Sequence, residues 1–296
     1  MRTAILIKGV LTLNSNSWEL WVIGGDRRQS ALAALLAADG HRVHPFALEQ
    51  DLRCEPGLNG IEGADGVILP LPALNGAGLV NAPLSAVELA PETVLDRLRP
   101  GQRLLAGRVD GRLRAMTSAR GLTVEDYFDR GELAVRNAVP TAEGALRLAM
   151  EAAPVTLHGA ACVVTGFGRV GQALALRLRA LGADVWVAER SPARQALAES
   201  MSLPCGGFAA LPARLSTAEL VFNTVPAPVL GEAELAALRP GTPVIELASA
   251  PGGVDGEAAA HHGIRVILAP GLPGKEAPLT AARALRDTVY HMMLGV

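Results

Sequence analysis

Residues 161–190, ACVVTGFGRVGQALALRLRALGADVWVAER, leave few folds open. An apolar run ends in Gly166-Phe167-Gly168-Arg169-Val170-Gly171, a G-x-G-x-x-G, and a stretch of good helix formers follows as far as Gly182. A second apolar run then carries Glu189 at its end. Glycines at this spacing between a buried strand and a helix have separate tasks. Gly166 permits the tight turn, Gly168 lets the backbone approach a pyrophosphate, and Gly171 lets the helix lie against the strand. The helix start favours an anion. The pattern predicts a βαβ unit that binds a nicotinamide dinucleotide along residues 166–171, with Glu189 placed for a ribose 2′-hydroxyl. Arg190 and Ser191 follow at once and Arg194 lies one helical turn on, which also suits a 2′-phosphate. The cofactor is therefore read as NADP or NAD.

Strand-like and helix-like stretches alternate through the rest of the chain. LWVIGG (20–25), VHPFA (43–47), GVILPLP (66–72) and RLLAG (103–107) read as strands of a first series, with helices at SALAALLAADG and ETVLDRLRPG. ELVFNTVP (219–226), TPVIELAS (242–249) and IRVILAP (264–270) continue the second series. Short apolar runs without alternation suit parallel sheets covered on both faces. The expected fold class is α/β, with two doubly wound Rossmann-like domains. Residues 1–140 are read as a flavodoxin/Rossmann-like substrate-side domain and 141–296 as the NAD(P)-binding domain. At the joint, Thr141 is expected to cap a helix that runs to Pro154. A terminal helix over about 277–294 is expected to pack back on the first domain.

Of 296 residues, 19% are charged, with 27 basic against 29 acidic, and the formal net charge is −2. That balance argues against nucleic acid as a partner. No apolar run approaches the ~18 residues of a membrane span, so a soluble chain is expected. Residues 1–17 do not read as a secretory signal, because Lys8 and Gly9 break the apolar run. Three widely spaced cysteines, Cys54, Cys162 and Cys205, offer no disulfide framework and fit a reducing cytoplasm.

The chain holds 32 Gly and 20 Pro, and these cluster rather than scatter. VIGGD (22–26), ILPLP (68–72), NTVPAP (223–228), ASAPGG (248–253) and APGLPG (269–274) all follow predicted strands. Ligands of doubly wound sheets gather at those strand ends. A cleft between the domains is expected, with the cofactor on the second and with Thr224, Val225, Pro226 and Ala248 among its contacts.

Taken together, VIGGDRRQ (22–29), ILPLPALNGAGLV (68–80), VPTAEG (139–144), HGAACVVTGFGRVG (158–171), NTVPAPVL (223–230), LASAPGGVD (247–255) and LAPGLPGKEAPLTA (268–281) resemble the A subunits of bacterial dipicolinate synthases. The likeness runs from about residue 18 to the C-terminus, and residues 1–17 are read as a tail or a misplaced start. The resemblance implies a role in sporulation, in the cytoplasm of the mother cell. The family makes pyridine-2,6-dicarboxylate, the spore's calcium chelator, by oxidising a dihydrodipicolinate-type intermediate of the lysine pathway. It also implies a nicotinamide-binding subunit that works with a flavoprotein-like B-subunit, and a fold like those of D-2-hydroxyacid and alanine dehydrogenases. A homo-oligomer is expected.

Oxidation to an aromatic ring asks for positioning and one proton acceptor, and a small dicarboxylate substrate asks for hydroxyl, N–H or cationic donors. Thr141 as carboxylate donor and Glu143 as proton acceptor are the first candidates, although T-x-E at a helix start also suits an N-cap. Ser249 is the third, with a plain turn role as its alternative. Asp26, Arg28 and Asn75 are candidates for substrate binding from the first domain, Asp26 doubling as a helix cap. Lys275 is a cation read from this sequence alone. No metal site is expected: the six histidines show no metal spacing, and the adjacent His261 and His262 should diverge on a helix.

Two other readings compete. A D-2-hydroxyacid dehydrogenase would carry an arginine within A-R-G-x-x-V-D and a later histidine. Here residues 248–255 read ASAPGGVD and residues 269–274 read APGLPG, with neither. A non-catalytic NAD(P)-binding scaffold for a flavin-type partner remains compatible with the same residues.

Overall fold

The computed structural model describes residues 4–7, 10–13 and 17–296. They divide into two units, residues 1–136 with 277–296, and residues 137–276. The tail expected over 1–17 falls partly outside the described residues. Within them, β1 (Ala4–Ile7) and β2 (Val10–Leu13) pair antiparallel, Ala4 opposite Leu13.

The first unit continues through β3 (Glu19–Ile23), α1 (Arg27–Ala38), β4 (Arg42–Phe46), β5 (Gly66–Ile68), α2 (Pro91–Leu95), β6 (Arg103–Ala106), α3 (Gly111–Ser118) and β7 (Val124–Asp126). Its parallel sheet has the order β4-β3-β5-β6-β7. Counted within the sheet this is 2-1-3-4-5, the flavodoxin-like arrangement. Leu20, Val22 and Ile68 face one side with Leu32 and Leu36 of α1, while Trp21, Ile23 and Val67 face the other. Both faces are covered, which is why these strands read as unbroken apolar runs. The crossover from β4 to β5 carries only a 3₁₀ turn at Ile61–Gly63, because residues 55–66 (EPGLNGIEGADG) are too rich in Gly and Asp for a helix.

The second unit comprises most of α4 (Gly131–Ala152), then β8 (Ala161–Thr165), α5 (Arg169–Ala180), β9 (Asp184–Ala188), α6 (Pro192–Ser200), β10 (Cys205–Gly206), α7 (Leu211–Leu215), β11 (Leu220–Asn223), α8 (Glu232–Ala236), β12 (Pro243–Glu246), α9 (Gly256–His261), β13 (Arg265–Leu268) and α10 (Leu272–Glu276). The sheet is parallel with the order β10-β9-β8-β11-β12-β13. That is 3-2-1-4-5-6, the dinucleotide-binding order, and it reverses between β8 and β11. Leu174, Ala175 and Leu178 of α5 pack on Val164, Val185 and Val187.

The last helix, α11 (Pro278–Leu294), belongs to the first unit. Its Leu285, Val289, Met292 and Met293 share a core with Leu32 and Leu36 of α1.

One boundary differs from expectation. Thr141 caps nothing: α4 begins at Gly131 and Thr141 lies in its interior, one residue after Pro140. A proline that looked like punctuation is carried inside the helix. The hydroxyl of Thr141 donates to the carbonyl of Asn137 (2.7 Å), the carbonyl next to the turn that lacks a proline N–H.

Candidate functional site

At the end of β8 the chain turns on Gly166, whose φ of +85° only glycine adopts freely. Its N–H donates to the carbonyl of Ala188 (2.7 Å), and a Cβ there would lie 2.7 Å from Thr224 Oγ1. Helix α5 then starts against the turn, so closely that a Cβ on Gly171 would stand 2.1 Å from the Gly166 carbonyl oxygen. Gly168 caps α5 without a side chain, and a Cβ on it would meet nothing within 4 Å. The three glycines thus divide into turn, open face and close packing. The first-turn N–H groups of α5 have no helical acceptors, and the open side of Gly168 leaves room for a phosphate to reach them.

Glu189, 4% exposed, closes this loop from the end of β9. One carboxylate oxygen accepts from the N–H of Phe167 (2.8 Å) and the other from that of Ser191 (3.0 Å). Burial pushes the carboxyl's pKa up, but the N–H groups of Ser191 and Phe167 and the charge of Arg194 outweigh it and hold the pKa below the ordinary value. Arg194 Nη1 lies 3.7 Å from the carboxylate. Arg190 and Arg194 are both exposed.

Beside the motif lies a buried polar network that the sequence reading missed. Thr165, Asn223 and Glu246 end β8, β11 and β12, and all three are buried. Thr165 Oγ1 donates to Asn223 Oδ1, and Asn223 Nδ2 reaches both oxygens of Glu246 (2.8 and 2.9 Å). Glu246 also accepts from the N–H groups of Ala248 (2.9 Å), Gly253 (2.9 Å) and Val254 (3.1 Å). Asn223 holds Val225 through both its N–H (3.1 Å) and its carbonyl (3.1 Å). One carboxylate therefore ties residues 223–225 to the loop 247–255. The available signal was polar residues in last strand positions, N in LVFN and E in PVIE, where an apolar residue is the default.

The expected site residues sort by unit. In the second, Gly166, Phe167, Gly168, Gly171, Glu189, Ser191, Arg194 and Thr224 surround one turn, with Arg169 and Val170 in the first turn of α5. Val225 and Ala248 join them through the Asn223–Glu246 network; Pro226 and Ser249 are exposed on adjoining loops. Thr141 and Glu143 do not come together: Glu143 is exposed and pairs with Arg177 of α5 at 3.6 Å. In the first unit Asp26 caps α1, accepting from the Arg28 N–H (3.0 Å). Arg28 is buried, bound bidentately to Asp26 and donating to the Leu71 carbonyl (2.9 Å). Asn75 folds its own loop, accepting from the N–H groups of Ala77 (3.0 Å) and Leu79 (3.1 Å). These two side chains hold backbone in place. Lys275 sits in the last turn of α10.

The divergence expected of His261 and His262 is overturned. His261 is the last residue of α9 and His262 its cap, and at that helix end both rings turn toward Glu232 at the start of α8.

Comparison with known proteins places these features among relatives. Residues 19–128 match the N-terminal domain of the dipicolinate synthase A-subunit, and residues 136–258 match the NAD-binding domain of D-isomer specific 2-hydroxyacid dehydrogenases. The chain is 31% identical to the dipicolinate synthase A-subunit of Bacillus subtilis, over 93% of this chain and 95% of that one. Crystal structures of two dipicolinate synthase A-subunits are similar throughout. That from Bacillus halodurans has a TM-score of 0.86 at 30% identity, covering 94% of this chain and 98% of its own. That from Bacillus subtilis has a TM-score of 0.84 at 30% identity, covering 95% and 97%. L-alanine dehydrogenase, at 19% identity and a TM-score of 0.63, shares the fold alone.

Proposed function

The chain belongs to the family of dipicolinate synthase A-subunits, and from that premise we propose that it is the nicotinamide-binding subunit of a dipicolinate synthase, oxidising a dihydrodipicolinate-type dicarboxylate to pyridine-2,6-dicarboxylate. The observation that carries the reading is the Gly166–Gly171 turn with its open Gly168 face, closed from behind by the buried carboxylate of Glu189. In the cofactor role, NADP or NAD when bound supplies a ring that takes hydride from the substrate carbon, while a proton leaves to a base and the pyridine ring becomes aromatic. The chain's own residues bind and orient. The N–H groups of Arg169 and Val170 would hold the pyrophosphate, and Thr224, Val225, Pro226 and Ala248 would line the strand ends beside it. Ser249 is assigned as a hydroxyl donor to a substrate carboxylate. Arg28, committed to Asp26 and Leu71, shapes its own turn.

The arginines beside Glu189 are what favour the phosphorylated cofactor. Arg194 pairs with the Glu189 carboxylate at 3.7 Å and offsets its charge, and Arg190 stands exposed next to it. Replacing Arg190 with Ala is expected to weaken NADP(H) much more than NAD(H), read by fluorescence titration. Equal loss for both would remove Arg190 from phosphate recognition.

One observation favours a second reading, a non-catalytic nucleotide-binding scaffold for a flavoprotein-like B-subunit. Of the first two catalytic candidates, Thr141 donates within its own helix and Glu143 pairs with Arg177. The deciding assay combines purified chain, freshly generated dihydrodipicolinate and each nicotinamide cofactor, with and without the B-subunit. Pyridine absorbance rising in step with NAD(P)H supports catalysis by this chain. Product that forms with a flavin and the B-subunit, at a rate indifferent to NAD(P)⁺, would leave only the scaffold.

A further inference from the structure

Helices α8 and α9 lie apart from the glycine turn in sequence and carry chemistry the proposed reaction does not use. Glu232 is the first residue of α8; His261 and His262 end α9. Glu232 Oε1 stands 2.7 Å from His262 Nε2 and 3.7 Å from His261 Nδ1. One ligand atom from each of the three lies within 4.8 Å of the other two. The two rings sit 4.8 Å apart, tilted by 43°.

We propose that Glu232, His261 and His262 form a binding site for a borderline divalent transition metal, Zn²⁺ being the best fit. Two imidazole nitrogens and one carboxylate oxygen are a donor set that suits zinc and disfavours Ca²⁺ and Mg²⁺, which take oxygens. Ligand atoms about 2.1 Å from a tetrahedral zinc lie roughly 3.4 Å from one another. The two carboxylate–imidazole separations, 2.7 and 3.7 Å, bracket that value, and the two ring nitrogens, within 4.8 Å of each other, would close on the ion by side-chain rotation. The ion replaces the hydrogen bond between His262 and Glu232. His262 then ligates through Nε2 with its proton on Nδ1, and His261 ligates through Nδ1 with its proton on Nε2. Water completes the coordination.

The helices that carry these side chains are anchored in the core, while Glu232 and His261 are exposed and His262 is half-buried. Leu235 of α8 and Ala258 and Ala259 of α9 are buried in one core cluster. Asp255 caps α9, accepting from the N–H groups of Glu257 (3.0 Å) and Ala258 (3.1 Å). Glu234 holds the N–H of Gly231 (3.1 Å) and fixes the start of α8. A surface ion pair would need only one histidine; the second imidazole on the same carboxylate oxygen is what a metal adds a reason for. Bound zinc would clip α8 to α9 and stabilise the folded chain by mass action.

The test is independent of the nucleotide site. The full chain, stripped with chelator and dialysed, is titrated with Zn²⁺ against a chromophoric chelator, and with Co²⁺ while visible absorption is recorded. One zinc per chain is expected, with the visible bands of four-coordinate Co²⁺ and a melting temperature that rises with zinc. His261→Ala, His262→Ala and Glu232→Gln should each weaken zinc at least about tenfold with circular dichroism unchanged. The proposal is overturned if the His261→Ala/His262→Ala double variant binds zinc as the wild type does. It is equally overturned if the wild type takes up no zinc against the chelator.

Discussion

A methyl group on Gly171 would stand 2.1 Å from the Gly166 carbonyl oxygen, whereas one on Gly168 would meet nothing within 4 Å. The two substitutions therefore separate folding from binding. Gly171→Ala must push α5 off the turn and should cost about 1–3 kcal/mol or more, read as a lowered thermal midpoint. Gly168→Ala should leave the midpoint nearly unchanged, within about 0.5 kcal/mol, yet weaken dinucleotide because the methyl occupies the face the pyrophosphate approaches. Unchanged affinity in Gly168→Ala would show that the phosphates take another path. A second residue-scale consequence lies at His41 in the first unit. Its Nδ1 accepts from the Trp18 N–H (3.1 Å), so the neutral ring carries its proton on Nε2, toward Tyr290 Oη (3.1 Å). Tyr290 in turn donates to Asp39 (2.7 Å). Burial lowers the His41 pKa and outweighs the nearby charge of Asp39. A histidine depressed in the folded state contributes stability that is present above its unfolded pKa of about 6.5 and is lost as pH falls below it. Denaturant midpoints should therefore drop between about pH 7 and pH 5.5, and His41→Phe, which keeps the stacking but cannot titrate, should flatten that part of the curve.

At the scale of elements, the loop 247–255 depends on a carboxylate from the strand that precedes it. Glu246→Ala strands the N–H groups of Ala248, Gly253 and Val254 and frees the Asn223 amide. At about 1–3 kcal/mol for each unsatisfied buried group, a loss of at least ~3 kcal/mol is expected by chemical denaturation. Glu246→Gln should be intermediate, since one oxygen remains while the new NH₂ confronts backbone donors. A midpoint within error of wild type for both would mean that water or loop rearrangement replaces the carboxylate. This network also marks where sequence reading stopped. Periodicity and glycine spacing located β8, α5, β9, β11, β12 and β13, because each is an apolar run closed by Gly, Pro or a polar residue. A glutamate at the end of PVIE looks the same whether it faces solvent or three backbone donors. Pro140 misled for a related reason: it reads as a break, but α4 continues through it, and the Thr141 hydroxyl bonds back to Asn137. The short β7 and β10 and the helix α3 left no pattern long enough to be read.

For the whole molecule, the two sheets differ in strand order, 2-1-3-4-5 against 3-2-1-4-5-6, which composition does not encode. Each sheet is nonetheless built on the unit that the glycine signatures announce, GGD after β3 and GFG after β8. The chain treats its two units unequally. Residues 137–276 are contiguous and carry their own core, whereas the first unit is completed by α11 from the far end of the chain. Leu285, Val289, Met292 and Met293 of α11 are buried there, and at about 1.5–3 kcal/mol each they contribute at least ~6 kcal/mol. A domain's whole stability is about 5–15 kcal/mol, so removing α11 should unfold the first unit. A fragment of residues 131–276, which keeps α4 intact, is expected to melt cooperatively and to bind dinucleotide as tightly as the full chain. Residues 1–136 alone should lack a cooperative transition and regain it when a peptide of residues 277–296 is added. Cooperative melting of 1–136 without the peptide, followed by circular dichroism, would mean that α11 covers a core that is already closed.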